Sequence, residues 1–231
     1  MNELVEFIHY DREVFRAFSS AHPSQDLFDD LLPDRKDQEI VKPFYYPEET
    51  GPISSPTERV FRHSDQKEIQ QEISSKFKPE NWYASRYSDG TWGVLYSAEL
   101  QETAVAESLY HKRNFYREEI EQKPLQIDLR VVRLKLKSSF CVDLLSDGEL
   151  DREKLCSKDE SGYPYCQNLG KKYRQGGAQL LRTPSARLEN AVCVPIFDPK
   201  TVKEDYGHLK YLKCILGKEE TEIYEVVPRF V

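Results

Sequence analysis

Residues 82–111 have the sequence WYASRYSDGTWGVLYSAELQETAVAESLYH, which joins a strand pattern directly to a helix pattern. Alternate residues from Trp92 to Ala98 share one face of a predicted strand, because successive side chains of a strand point to opposite faces. A helix over about residues 101–121 follows without a long loop. This stretch therefore predicts a domain that contains both sheet and helix.

Further strand patterns lie on both sides of this unit and often follow one another directly along the chain. Because strands outnumber long helices, the sequence favours an α+β fold over a doubly wound α/β fold. The predicted strands cover residues 59–63, 127–142, 180–182, 191–197, 211–216 and 222–227, and the further predicted helices cover residues 64–77 and 165–174.

The N-terminal region has a different pattern. Apolar residues within residues 1–20 recur at spacings of three, four and seven, which predicts an amphipathic helix. Residues 19–57 are rich in Pro, Ser and Asp and predict a loop-rich connection. We therefore predict a helical extension over residues 1–57 and a single domain over residues 58–231. The apolar residues in question are Leu4, Phe7, Ile8, Val14, Phe15 and Phe18.

Composition restricts the classes of function. The 231 residues are 39% hydrophobic and 12% aromatic, which suits a packed core. No apolar run approaches the length of a membrane span and no secretory signal is visible, so we expect a soluble, cytoplasmic protein. A net charge of -7 disfavours direct binding to nucleic acid. Five cysteines without a Cys-x-x-Cys pair predict reduced thiols and neither a disulfide framework nor a zinc knuckle.

Three residues of the opening stretch could together bind a sugar nucleotide that carries a positively charged ring. Arg86 could pair with a phosphate through two hydrogen bonds. Tyr96 could stack on a planar ring. Glu107 could stabilise positive charge that develops on a ribose.

Each of these residues also has a structural interpretation. Glu107 could form a surface pair with His111, Arg86 could be a solvated surface charge, and Tyr96 could belong to the core. The Glu-x-x-x-His spacing is a weak metal signal and no His-Glu-x-x-His motif is present, so we predict no metal site. Ser185 lies in no Gly-x-Ser-x-Gly elbow and is a poor candidate for an acyl nucleophile.

Several short motifs occur in a fixed order along the chain. They are VFRH at residues 60–63, RY at 86–87, VLYSA at 94–98, ETAVAE at 102–107, and TPSAR at 183–187 followed by PIFDP at 195–199. In this order they resemble the RES domain family over about residues 58–231. The resemblance implies a fold similar to that of ADP-ribosyltransferases, with a mixed or antiparallel split sheet and flanking helices.

The resemblance also implies the residues of an NAD site. It implies that Arg62 and Arg86 are candidates for the arginine of the family, Tyr96 for its strand tyrosine, and Glu107 for its acidic residue. Two departures from the family pattern affect the remaining positions: His63 stands where some members have Tyr, and residues 163–166 lack a Ser or Thr that some members have. By the same resemblance, the catalytic candidates are Glu107, Arg62 and Tyr96, and the NAD-binding candidates are Arg86, His63, Tyr87, Ser185 and Gln167.

RES proteins are toxins of bacterial toxin-antitoxin pairs that act on NAD, so the resemblance implies a toxin with NAD as its substrate. Cleavage of the nicotinamide–ribose bond would pass through an oxocarbenium-like centre, trapped by water or phosphate. Transfer of ADP-ribose to a protein is an alternative, and a non-catalytic domain that binds a nucleotide or partner is another. The resemblance further implies a helix-turn-helix antitoxin of the Xre type as partner, and is compatible with a homo-oligomer.

Overall fold

A computed structural model describes residues 5–19 and 66–226 of the chain. The predicted strand over residues 59–63, with Arg62 and His63, lies outside the described residues. So does most of the predicted loop-rich connection over residues 19–57.

The described residues form a mixture of strands and helices. The strands are β1 (Ile8–Ser19), β2 (Ala84–Ser85), β3 (Ser88–Asp89), β4 (Leu95–Ala98), β5 (Leu125–Asp143), β6 (Leu180–Pro184), β7 (Val192–Ile196), β8 (Val202–Leu216) and β9 (Thr221–Glu225). The helices are α1 (Gln66–Ser75), α2 (Gln101–Phe115), α3 (Arg117–Gln122), α4 (Arg152–Leu155) and α5 (Tyr163–Gln175). None of these helices is long and apolar enough to cross a bilayer.

Seven of the described strands form one sheet in the order β1-β4-β7-β6-β5-β8-β9. β1 also pairs with β5, so that β1, β4, β7, β6 and β5 close into a ring. The pairing of β5 with β6 is parallel, and the other neighbouring strands are antiparallel. The predicted α+β fold with a mixed, mainly antiparallel sheet is therefore confirmed.

The predicted N-terminal helix is wrong for residues 8–19, which form β1. This strand pairs with β5 from Ile8 opposite Cys141 to Ser19 opposite Leu129. A spacing of four residues places side chains on one face of a helix and also on one face of a strand, so the pattern suits both. In β1, Val14 and Phe18 pack into one core while Phe15 packs against another on the opposite face.

The other predicted elements that fall on described residues are present with shifted bounds. The predicted helix over residues 101–121 is divided at Tyr116 into α2 and α3. The predicted strand over residues 127–142 is one continuous strand, β5. The strand predicted to start at Tyr211 begins at Val202, because β8 pairs with β5 along most of that length.

The helix α5 fixes the turn between β2 and β3 by close packing. A Cβ atom at Gly170 of α5 would lie 2.3 Å from the main-chain oxygen of Tyr87, so only glycine allows this approach. Tyr87 is fully buried in the cluster of apolar residues beneath α5. The turn that carries Arg86 is thereby held against a helix.

We predict that β1 is required for stability of the sheet. Phe18 is 2% exposed and packs in the core, whereas Phe140 is 47% exposed and packs edge-on against Phe7. Phe18→Ala should lower the free energy of unfolding by about 3–5 kcal/mol, because it leaves a cavity in the core. The matched variant Phe140→Ala should cost about 1 kcal/mol or less. Urea denaturation of both variants measures the difference, and equal losses would contradict the packing of β1.

Candidate active site

One cleft collects most of the described residues that the sequence analysis selected. Arg86, Tyr87, Tyr96 and Glu107 line it together. They come from the β2–β3 turn, from β4 and from α2, and the hairpin between β6 and β7 lies alongside. The cleft contains about 860 Å³ free of protein atoms, part of it open to solvent.

The Glu107 carboxylate is held from the β6–β7 side of the cleft. Its Oε1 accepts a hydrogen bond from the Ser185 hydroxyl at 2.6 Å and one from the Cys193 thiol at 3.4 Å. Its Oε2 lies 3.6 Å from Nε of Arg187. The Glu107 carboxylate thus has contacts with three side chains of the β6–β7 region.

Ser185 acts as a hydrogen-bond donor to Glu107. Its Oγ accepts the main-chain N–H groups of Arg187 at 3.0 Å and Leu188 at 3.2 Å. A hydroxyl has two acceptor positions and one proton, so these two contacts direct the proton to the carboxylate. Ser185 is 6% exposed and does not line the cleft. These contacts favour a role in orienting Glu107 over direct contact with a ligand.

Tyr96 presents its ring to the cleft while its hydroxyl is bound elsewhere. The hydroxyl lies 2.8 Å from Oγ of Ser85 and accepts the main-chain N–H of Tyr87 at 3.0 Å. Tyr87 in turn shares a hydrogen bond with the Thr183 hydroxyl, and burial raises its pKa well above the ordinary value. Both tyrosines thus brace the β2–β3 turn, and Tyr96 offers the cleft an aromatic surface.

Arg86 is fixed by main-chain carbonyl groups. Its Nη2 donates to the oxygen of Ser157 at 2.7 Å and its Nη1 donates to that of Leu155 at 3.2 Å. The guanidinium also lies 5.0 Å from the centre of the Tyr163 ring. A guanidinium has five N–H donors, so these contacts orient Arg86 without using all of its donors.

Gln167 lies outside the cleft. Its side-chain amide donates to the main-chain oxygen of Ser85 at 2.9 Å, which supports the β2–β3 turn from α5. It is not among the residues that line the cleft. Gln167 therefore affects the cleft only indirectly, through Ser85, the residue before Arg86.

Two arginines of the cleft were not among the predicted site residues. Arg16 comes from β1, donates to the main-chain oxygen of Tyr96 at 2.9 Å, and pairs with buried Glu72 at 2.6 Å. Because β1 was predicted as a helix outside the main domain, the sequence offered no reason to place Arg16 near the cleft. Arg187 follows Ser185 by two residues in the TPSAR motif, and that proximity was the available signal.

Cys193 lines the cleft beside Glu107 and is not suited to be a nucleophile. Burial, together with the neighbouring Glu107 carboxylate, raises the pKa of this thiol well above its ordinary value. A thiol with a raised pKa is protonated at neutral pH, whereas the thiolate is the reactive form. Other functional groups that line the cleft are an oriented carboxylate, an aromatic ring and arginines.

Comparisons with known proteins place this geometry in context. A family model described as the RES domain matches residues 58–211. The structure is similar to that of the M. tuberculosis MbcT-MbcA toxin-antitoxin complex, with a TM-score of 0.45, 12% sequence identity, and coverage of 92% of this chain and 88% of that chain. A search of curated proteins finds no match. The family match begins at residue 58, so β1 and Arg16 lie outside its span.

We predict that Cys193 resists alkylation because its pKa is raised. Both Cys156 and Cys193 are partly exposed, so the raised pKa of Cys193 is what should separate them. At about pH 7.5, iodoacetamide should label Cys156 before Cys193, as measured by peptide mass spectrometry. Glu107→Gln removes the negative charge that contributes to the raised pKa, so Cys193 should then react faster. An unchanged rate in this variant would contradict the electrostatic contact between Glu107 and Cys193.

Proposed function

Since the chain belongs to the RES domain family, we propose that it consumes NAD by cleaving the bond between nicotinamide and ribose. The observation that carries this proposal is the Glu107 carboxylate, held in a cleft by Ser185 and facing a fixed Arg86 and the Tyr96 ring. Together these groups suit a ligand with an anionic part, a ribose and a planar cationic ring.

The proposed reaction needs charge stabilisation more than it needs a strong nucleophile. Nicotinamide leaves as a neutral molecule and the ribose carbon gains positive charge, as in glycoside cleavage. A carboxylate oriented before the reaction stabilises that charge with little reorganisation. We assign this role to Glu107, whose orientation is set by Ser185.

The remaining residues are proposed to bind and orient NAD. Arg86 would hold the pyrophosphate with the donors that its carbonyl contacts leave available. Tyr96 would pack against the nicotinamide ring, and Gln167 would act through the turn that carries Arg86. Arg62 and His63, which lie outside the described residues, stay proposed as additional NAD contacts on the basis of the family motif.

The proposed biological role is that of a toxin paired with a helix-turn-helix antitoxin. Family membership supports this role. Expression of the chain should then arrest bacterial growth, and Glu107→Gln should relieve the arrest. Growth arrest that persists equally with Glu107→Gln would argue against NAD consumption as its cause.

We predict that nicotinamide release from NAD depends on Glu107. Glu107→Gln should lower the rate by about a hundredfold or more, because the developing positive charge loses its counter-charge. Glu102→Gln is the matched control, since Glu102 lies on the same helix, is exposed and does not line the cleft. Chromatography of released nicotinamide measures both variants. Equal rates in wild type and Glu107→Gln would refute the assignment.

We predict that the ADP-ribose part of NAD is released as a small molecule. With NAD labelled in its adenine, label should appear as free ADP-ribose, or as its phosphate ester when inorganic phosphate is present. Label that stays on a protein during denaturing electrophoresis would instead identify the reaction as ADP-ribosyl transfer. Label that stays in intact NAD would support a domain that binds without catalysis.

A further inference from the structure

Arg187 contacts the second oxygen of the Glu107 carboxylate. Ser185 and Cys193 both donate to Oε1, which leaves the carboxylate able to pivot about that oxygen. The ion pair of Arg187 Nε with Oε2, at 3.6 Å, opposes this pivot. Oε1 is therefore held by two hydrogen bonds, whereas Oε2 has an ion-pair contact with Arg187.

Arg187 is itself held rigidly. Its guanidinium carbon lies 3.2 Å from the centre of the Tyr110 ring, and its Nη1 donates to the main-chain oxygen of Lys158 at 2.6 Å. Tyr110 lies three residues after Glu107 on α2, so both side chains are on the same side of this helix. The Tyr110 hydroxyl donates to the same Lys158 oxygen at 2.7 Å. These contacts fix the guanidinium beside the carboxylate.

The Nε group of Arg187 is buried and has no hydrogen-bond partner within residues 5–19 and 66–226, although the side chain lines the cleft. A buried N–H without an acceptor costs free energy. Such a group therefore suggests that another conformation of the site supplies the acceptor. The distance of 3.6 Å to Oε2 exceeds the range of a hydrogen bond. A small rotation of Glu107 towards Arg187 would complete the bond, and contacts of this kind often tighten when substrate binds.

We propose that Arg187 is a positioning residue that sets the orientation of Oε2 of Glu107 for the reaction. This inference rests on the proposed cleavage of NAD. In this role Arg187 would act through the carboxylate, so its loss should affect turnover more than binding. The Tyr110 ring and the Lys158 carbonyl keep the guanidinium in place while Glu107 responds to the ribose.

The experiment compares Arg187→Met, Arg187→Lys and Arg113→Met with the wild type. Arg113 is a matched control on α2: it donates to Thr221 and to the Lys218 carbonyl, and it does not line the cleft. Arg187→Met should lower kcat for nicotinamide release by about ten- to a hundredfold, the size expected for a misplaced catalytic group, with KM changed by less than about threefold. Arg187→Lys should recover part of kcat, because it keeps the charge without the planar fork. Arg113→Met should keep the wild-type kcat.

Other outcomes overturn the inference. A raised KM with unchanged kcat would mean that Arg187 binds substrate directly, and unchanged kcat and KM would mean that it has no role in the reaction. A second measurement does not depend on activity: a crystal structure of Arg187→Met should show Glu107 Oε2 displaced while Oε1 stays on Ser185. If the wild type releases no nicotinamide, the proposed function fails, and this structure still decides whether Arg187 places Oε2. An undisplaced Oε2 would then reject the inference as well.

Discussion

The long strand β5 is the element on which the rest of the structure depends. Its 19 residues pair with β1 along one edge, and with β8 and then β6 along the other. The pairing with β1 closes the ring of strands that positions β4 and β7, and it also brings Arg16 to the cleft. A strand that pairs on both edges has no exposed backbone donors along the paired length, which removes a site for aggregation. The N-terminal strand is therefore part of the sheet and lines the cleft, although it precedes the family match.

The orientation of Glu107 follows from the need of buried polar groups for hydrogen-bond partners. The β6–β7 hairpin places two main-chain N–H groups on Oγ of Ser185, and this leaves its proton for Glu107. The direction of that hydrogen bond is thus fixed by the backbone of the hairpin, with no need for a network of further side chains. A carboxylate oriented in this way requires little rearrangement when charge develops near it.

The sequence was sufficient where local pattern and tertiary structure agree. β4 and α2 are joined directly and each has a clear period, so the elements that carry Tyr96 and Glu107 could be predicted. β1 could not be predicted, because a spacing of four suits both a helix and a strand and only pairing with β5 decides between them. The support that Gln167 gives to the β2–β3 turn could not be predicted either, since its contact with Ser85 joins residues 82 positions apart.

The partners of the arginines determine the charge of the cleft. Arg86 is held by the carbonyl groups of Leu155 and Ser157, which are neutral, so its positive charge is oriented but not cancelled by these contacts. A carboxylate partner would have fixed the guanidinium equally well while removing the local field that attracts an anion. Arg187 also donates to a carbonyl, that of Lys158, but pairs with Glu107 in addition. The two arginines thus differ in their partners: Arg86 donates to neutral carbonyl groups, and Arg187 pairs with a carboxylate as well. Under the proposed function, Arg86 would keep its charge available for an anionic ligand. In a chain with a net charge of -7, the proposed binding of a phosphate-bearing ligand would depend on such local positive charge.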